Sequence, residues 1–536
     1  MPDIPGDVKR PLRLAWPITA GEAASKGECW TSSTMPLTAD GWPSMAFSAC
    51  SSEGDGVSQT AAVLNPRRYY SPAELSHFIL WLLPAILMAV LLCRPFGLND
   101  LGWQLVLGEQ MIAARTPFIT ERIAALHLGE QLVPNAWLAQ VSYAAVHKFG
   151  GWKALRLLDA LLWLAGIYAA SACARRNQNR PMATLFAIVI AFIVALPSAS
   201  IRPQSFASLG FGLFLCLLKE GERSWWATLL TLPLLLLWQN LHPSAPVAFA
   251  VAAPLAGARW VQCIWGEARP PARQSIIALF AALVIFATPA AWGIVEFARH
   301  NAEASLQQGA TEWYPLTHSV NHKFVLVVIL SAAITGLVLI RYRADMTLVE
   351  TLPFLVTLAM SFFAARFILF YAISLVPILS RTALGDMRRT SRSWWAWSSR
   401  CIIASVMVAE AVLIPLIAEP GLPLSVLVRL NSRVPAGIVV TDPELGGVVA
   451  IAGSLRWRIT YDGRYYLYSS QEYAVLQRMR SGTMSITAIE KKFTPVAFAL
   501  SQSTSAPLIA ELLRRPGRWK LEYANSSAAF FSRTEP

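Results

Sequence analysis

Eleven apolar runs limit what this chain can fold into. They fall near 75–93, 153–173, 182–197, 206–218, 225–239, 245–265, 275–290, 323–340, 346–364, 366–380 and 400–418. Several are shorter than the roughly twenty residues a helix needs to cross a bilayer. Only 14% of the 536 residues are charged, against about a quarter in a soluble domain. The pattern predicts an α-helical multi-spanning membrane protein with about eleven spans, and the lipid bilayer as its first partner.

A net charge of +13 would fit a nucleic-acid binder, but the basic residues sit in short clusters beside the apolar runs. Such clusters orient spans, so nucleic acid is not expected as a partner. Residues 1–70 are rich in Ser, Gly, Pro and Ala without sustained periodicity. They read as a disordered cytoplasmic tail, or equally as the product of a mis-assigned start codon. With that tail inside, every second connection is cytoplasmic: RRNQNR (Arg175 to Arg180), KEGER, GEARPPARQ, RYRAD and the block Arg381 to Arg400. All five are rich in Arg or Lys, as the positive-inside rule requires. The expected location is the plasma (inner) membrane. Connections 94–152, 198–205, 240–244, 291–322 and the turn Ala364 to Arg366 are then exterior.

The transmembrane domain is expected over 71–418, carrying the exterior loop 94–152, and a small exterior α/β domain over 419–536. GIVVT (Gly437 to Thr441), RWRITYDGR (Arg456 to Arg464), WKLEYA and AAFFSR read as strand-like stretches, with a helix near Leu445 to Ala452. The seven cysteines show no metal-ligand spacing. No metal site is readable, and a need for a divalent cation stays open.

The most informative stretch is Asn99 to Leu138. Asp100 opens a periodic segment, Leu101 to Ala114, too short and too mixed to span, which is expected to lie in the membrane interface. A second short helix, Asn135 to Phe149, closes the loop. Asp directly before a helix is a preferred N-cap, so capping and chemistry are equal readings of Asp100. Glu109, about half a turn away, reads as solvated. Arg202 and Arg366 stand at exterior span ends, where a guanidinium either snorkels to the interface or holds a phosphate with its planar fork. His242 is a turn residue or a site residue. Asp159, three residues after Arg156, reads as half of an internal ion pair or as a functional intramembrane charge, and Glu410 is open in the same way. Glu312, Trp313 and Tyr314 pair an acid with aromatics, a way to hold a sugar, although Trp and Tyr also populate interfaces. No P-loop, dinucleotide fingerprint, nucleophile elbow, HExxH or CxxC is present.

On these residues the chain resembles a family of uncharacterised bacterial multi-pass proteins similar to the GT-C glycosyltransferase superfamily. Asp100, Trp103, Leu105, Gly108 and Glu109 match its pattern after the first span, with Gly102 in place of a Trp and Gln104 in place of a His. Trp137-Leu138, Gly150-Gly151 with Leu155, Arg202-Pro203-Gln204, Trp238 with Asn240-Leu241-His242, Glu312-Trp313 and Arg366-Phe367 follow in order. So do Asp442-Pro443, Gly446-Gly447 and Asp462-Gly463-Arg464 with Tyr468. The departures are Asn135-Ala136 for His-Glu, Ile119-Thr120 for Thr-Asp and Ala290-Ala291 for Asn-Pro, with Glu121 or Glu130 as substitute carboxylates. The resemblance implies a membrane transferase that moves a sugar from a polyprenyl-phosphate donor to an acceptor on the exterior face. Asp100 is then the base, and Arg202, Gln204, His242, Glu312, Trp313 and Arg366 are substrate-binding. A transporter or flippase of lipid-linked saccharides, using Asp159 and Glu410, and a non-catalytic assembly protein are the alternatives.

Overall fold

The computed structural model describes residues 72–175, 181–266, 269–382, 393–417 and 421–534. The expected 1–70 tail lies outside the described residues, as do parts of the basic connections at 176–180, 267–268 and 383–392.

Each of the eleven apolar runs is a helix. They are α1 (Pro72–Leu92), α3 (Trp137–Arg175), α4 (Pro181–Ala195), α5 (Gln204–Glu220), α6 (Trp225–Leu241), α7 (Pro246–Ile264), α8 (Ala272–Val284), α10 (His322–Arg341), α11 (Leu348–Phe363), α12 (Ile368–Leu379) and α13 (Ser393–Leu413). Between them lie α2 (Asn99–Ala114) and α9 (Gly293–Gln307). Among the described residues only Trp137–Ala172, Pro246–Ile264 and Ser319–Arg341 are long and apolar enough to cross a membrane. The count of about eleven spans is therefore reduced to three that length and composition support. Six of the others have 12 to 17 residues, or about 18 to 26 Å, short of the roughly 30 Å hydrocarbon core. Apolarity also has a second cause: all twelve residues of α12 are buried by neighbouring helices, so its composition follows from its central place. By contrast α10 turns Leu326, Ile329, Leu330, Leu337 and Ile340 outward, an apolar stripe left exposed among the described residues.

The segment Asn135 to Phe149 is the first part of α3, which breaks at Gly151, where φ is +62°. Asp159 pairs with Arg94 at 3.1 Å and with the Ser205 hydroxyl, so its partner is not Arg156. Arg156 instead donates to the Leu92, Pro415 and Ile414 carbonyls at 2.7, 2.8 and 2.6 Å. Both arginines tie helix ends together, because free carbonyls and a buried carboxylate each need donors.

The C-terminal part begins with α14 (Leu424–Asn431) and holds a five-stranded mixed sheet of β1 (Gly437–Thr441), β2 (Trp457–Ile459), β3 (Pro495–Ser501), β4 (Trp519–Ala524) and β5 (Ala528–Arg533). The strand order is β2-β1-β3-β5-β4, with β1 parallel to β2 and β3, and β5 antiparallel to β3 and β4. Alternation along the strands makes two cores. Val439, Ile459, Ala497 and Phe530 face α15 (Pro443–Gly453) and α2. Val440, Phe498 and Phe531 face α16 (Ser470–Arg480), α17 (Ile486–Phe493) and α18 (Ala506–Leu513).

The helix α2 is not an exposed amphipathic helix but is packed on two sides. Leu101 to Gly108 and Met111 are buried, because α3 packs on one side and α15 on the other. A Cβ at Gly102 would strike the Gly447 carbonyl, and one at Gly447 would strike the carbonyls of Leu98 and Asn99. Backbone therefore meets backbone, and the C-terminal sheet docks directly onto the helix that carries Asp100. The loop after α2 completes the joint: Ala124 bridges Ile459, and the Ile459 N–H donates to the Ile123 carbonyl at 2.9 Å.

Candidate functional site

Asp100 sits in the first turn of α2 and is not its N-cap. That position is Leu98, which makes no side-chain cap. The Asp100 carboxylate instead accepts from Arg202 Nε at 2.8 Å. Arg202 lies just before α5, where Pro203 starts the helix and the Tyr143 hydroxyl holds the Arg202 carbonyl at 2.7 Å. Its Nη1 reaches Glu312 Oε2 at 2.9 Å, so one guanidinium fork spans two carboxylates. Glu312 is presented by the 3₁₀ turn Thr311–Trp313, and Trp313 lies under Arg366, whose guanidinium carbon is 3.9 Å from the ring centroid. The turn Ala365–Phe367 holds Arg366 between α11 and α12, and Gln204 Nε2 donates to the Arg366 carbonyl at 3.4 Å. Among the described residues no hydrogen bond occupies the Arg366 guanidinium. Arg202 and Arg366 are thus directed inward, onto carboxylates and an indole, and neither snorkels.

His242 follows the end of α6, its Nδ1 2.7 Å from the Ser244 hydroxyl. Trp137 Nε1 donates to Asn240 at 2.7 Å and ties α3 to the same corner. Asp100, Arg202, Gln204, His242, Glu312, Trp313 and Arg366, drawn from five separate connections, all line one cavity of about 330 Å³. These connections are the same ends of their helices. At the opposite ends of α5 and α11, Glu350 gathers Lys219 and Arg381, each at 2.7 Å.

The electrostatics separate the carboxylates. Burial, reinforced by the neighbouring Glu312 and Asp462 charges, pushes the Asp100 carboxyl above its ordinary value, although Arg202 opposes it. Burial would also raise Glu312, but Arg202 and Arg366 outweigh it and hold the group below the usual range. Two carboxylates on one guanidinium with opposed shifts suit a base near its working pH beside a permanent anion. Burial and then Arg366 lower His242 to about 3. The charged form of His242 is thereby disfavoured, and the neutral ring offers the cavity hydrogen bonding.

Glu121 and Glu130 do not replace a cavity carboxylate. Glu121 is buried against Arg464 and the N–H groups of Ile123 and Ala124, and Glu130 bonds the His127 ring at 3.0 Å. Neither Asp159 nor Glu410 lines the cavity. Part of its wall comes from the C-terminal part: Glu444, Gly463, Tyr465 and Tyr466. A Cβ at Gly463 would strike the Asp100 carboxylate, so this turn closes over the acid. The signal for it in the sequence is the Asp462-Gly463-Arg464 turn followed by paired tyrosines. Gln104, Asn135 and Gln140 also line the cavity and carry no spacing signature. Among the described residues no three His, Cys, Asp or Glu side chains gather as metal ligands.

No family model matches the chain, and no curated protein is significantly similar to it.

Proposed function

We propose that this protein is a GT-C-like membrane glycosyltransferase that moves a sugar from a polyprenyl-phosphate carrier to an acceptor hydroxyl at the exterior face of the plasma membrane. One observation carries the reading. Seven residues spread from position 100 to position 366 meet in one cavity, with Asp100 and Arg202 2.8 Å apart. The three long apolar helices and the outward stripe of α10 support a membrane setting. In this reading the remaining apolar helices complete a bundle of about eleven membrane helices, with the N-terminus cytoplasmic and the C-terminal sheet outside.

In the reaction, Asp100 takes the acceptor hydroxyl proton and the acceptor oxygen bonds to the anomeric carbon. The bond from that carbon to the phosphate oxygen breaks, and the electron pair leaves with the polyprenyl phosphate. Arg366, resting on Trp313, and Arg202 meet the departing phosphate charge. His242 donates or accepts without charge. Asp100→Asn is expected to lower transfer of labelled sugar from polyprenyl phosphate by about 10²- to 10⁴-fold while folded protein recovered from membranes is unchanged. Unaltered transfer would refute the assignment.

A further inference from the structure

The charged groups of the cavity account for a phosphate but not for its carboxamides: Asn99, Gln104, Asn135, Gln140, Gln204 and Asn301 all line the same space. Two of them are the most informative. Asp100 and Gln104 stand four residues apart on α2 and so share a face. Gln140 comes from α3, which crosses so close that a Cβ at Gly108 would strike the Gln140 backbone carbonyl. Gln104 and Gln140 are 3% and 2% exposed, and the amide oxygen of each has no hydrogen-bond partner.

Buried amides left unsatisfied weaken a fold, so their presence at a cavity wall calls for a ligand. Phosphate oxygens accept only, and the guanidinium groups already serve them. A carboxamide offers a donor and an acceptor side by side and can turn either toward a partner. A hydroxyl has the same double character, whereas a carboxylate or phosphate meets only the NH2 side and leaves the amide oxygen unsatisfied. Tyr465 and Tyr466 add flat apolar surface to the same cavity.

We infer that Gln104 and Gln140 form the acceptor subsite, and that the acceptor is a neutral polyhydroxylated saccharide. This rests on the proposed transfer only for its name, since binding is measurable without turnover. The test uses the full chain in a detergent without sugar headgroups. Labelled methyl glycosides of glucose, galactose, mannose and N-acetylglucosamine are offered by equilibrium dialysis, with undecaprenyl phosphate measured in parallel. At least one glycoside is expected to bind saturably, and Gln104→Met and Gln140→Met are each expected to weaken it tenfold or more. Undecaprenyl phosphate binding stays constant, and the unfolding temperature stays level or rises, because an unsatisfied amide has been removed. Equal glycoside binding by the variants would overturn the inference, as would a wild-type protein that binds none of the panel. Variants that lose glycoside and undecaprenyl phosphate together with thermal stability would also overturn it, by showing a structural role. Failure of the transfer assignment itself is read separately, from Asp100→Asn.

Discussion

Arg202 and Arg464 each hold a pair of carboxylates, and they serve opposite ends. In the cavity, Arg202 joins Asp100 and Glu312, with side chains 39%, 23% and 42% exposed. Beneath it, Arg464 joins Glu121 and Asp462, all fully buried. Every strong acceptor of the buried set is taken. Asp462 receives Arg464 Nε and Nη2 at 2.8 and 2.6 Å and the Arg464 backbone N–H at 2.9 Å, while Glu121 receives Arg464 and two further backbone N–H groups. Saturation and burial leave that set nothing to exchange with a ligand. The cavity set is open to the same space as Arg366, so in the proposed reaction an incoming phosphate can displace a carboxylate from the fork. Composition alone does not separate a latch from a site; the solvent around each does.

The latch also holds the site in shape, because Gly463, pressed on Asp100, is the neighbour of Arg464. The strongest way to break the comparison is therefore Arg464→Met. It strands two buried carboxylates, a loss of about 3–5 kcal/mol against a total stability of about 5–15 kcal/mol. Folded, monodisperse protein is expected to fall sharply in size-exclusion chromatography after extraction. Normal recovery with normal transfer would mean that the latch is dispensable and the contrast empty.

Arg202→Lys tests the other arginine with a smaller effect. An ammonium keeps the charge but lacks the planar fork that reaches Asp100 and Glu312 together. One charged hydrogen bond is worth about 1.5–3 kcal/mol, so transfer is expected to drop roughly ten- to a hundredfold, with recovery of folded protein close to wild type. A fall in recovery matching that of Arg464→Met would place both arginines in the same structural class.

How much of this was legible in the sequence follows from the range of the forces involved. The helices are legible because apolar runs are local, and so is the meeting of Asp100, Arg202, His242, Glu312 and Arg366, since alternating connections must gather at one end of a bundle. Span number is less legible: α12 is apolar through burial within protein, which a hydropathy pattern does not distinguish from burial in lipid. The mixed face of α2 suggests a membrane interface because the docking of Gly447 onto Gly102, more than three hundred positions apart, leaves no local trace. The central strand β3, PVAFALS, shows no apolar-polar alternation, since both its faces are packed. Glu121 reads as a spare acid until Arg464 is seen on it. Gln104 and Asn135-Ala136 look like lost chemistry in sequence, yet all three line the cavity.

The smallest expected effect, and the finest test of the comparison, is the sign of two pH dependences. Glu121 is held below its ordinary pKa: burial would raise it, but Arg464 and the backbone N–H groups of Ala124 and Ile123 prevail. A depressed carboxyl contributes stability that is complete above its unfolded value of about 4.3 and is lost as pH falls through its folded value. Asp100 is raised, chiefly by burial. Its contribution is therefore complete below an unfolded value of about 3.9 and is lost as pH rises through the raised folded value. Glu121→Gln should flatten the acid limb of the unfolding temperature and leave the limb above pH 4 unchanged. Asp100→Asn should leave the acid limb alone and flatten the decline above pH 4. In the wild type, transfer should also fall on acidification through the raised Asp100 value, because a protonated acid cannot take the acceptor proton. If both substitutions change the same limb in the same direction, the two carboxylate pairs are electrostatically alike, and only geometry distinguishes them.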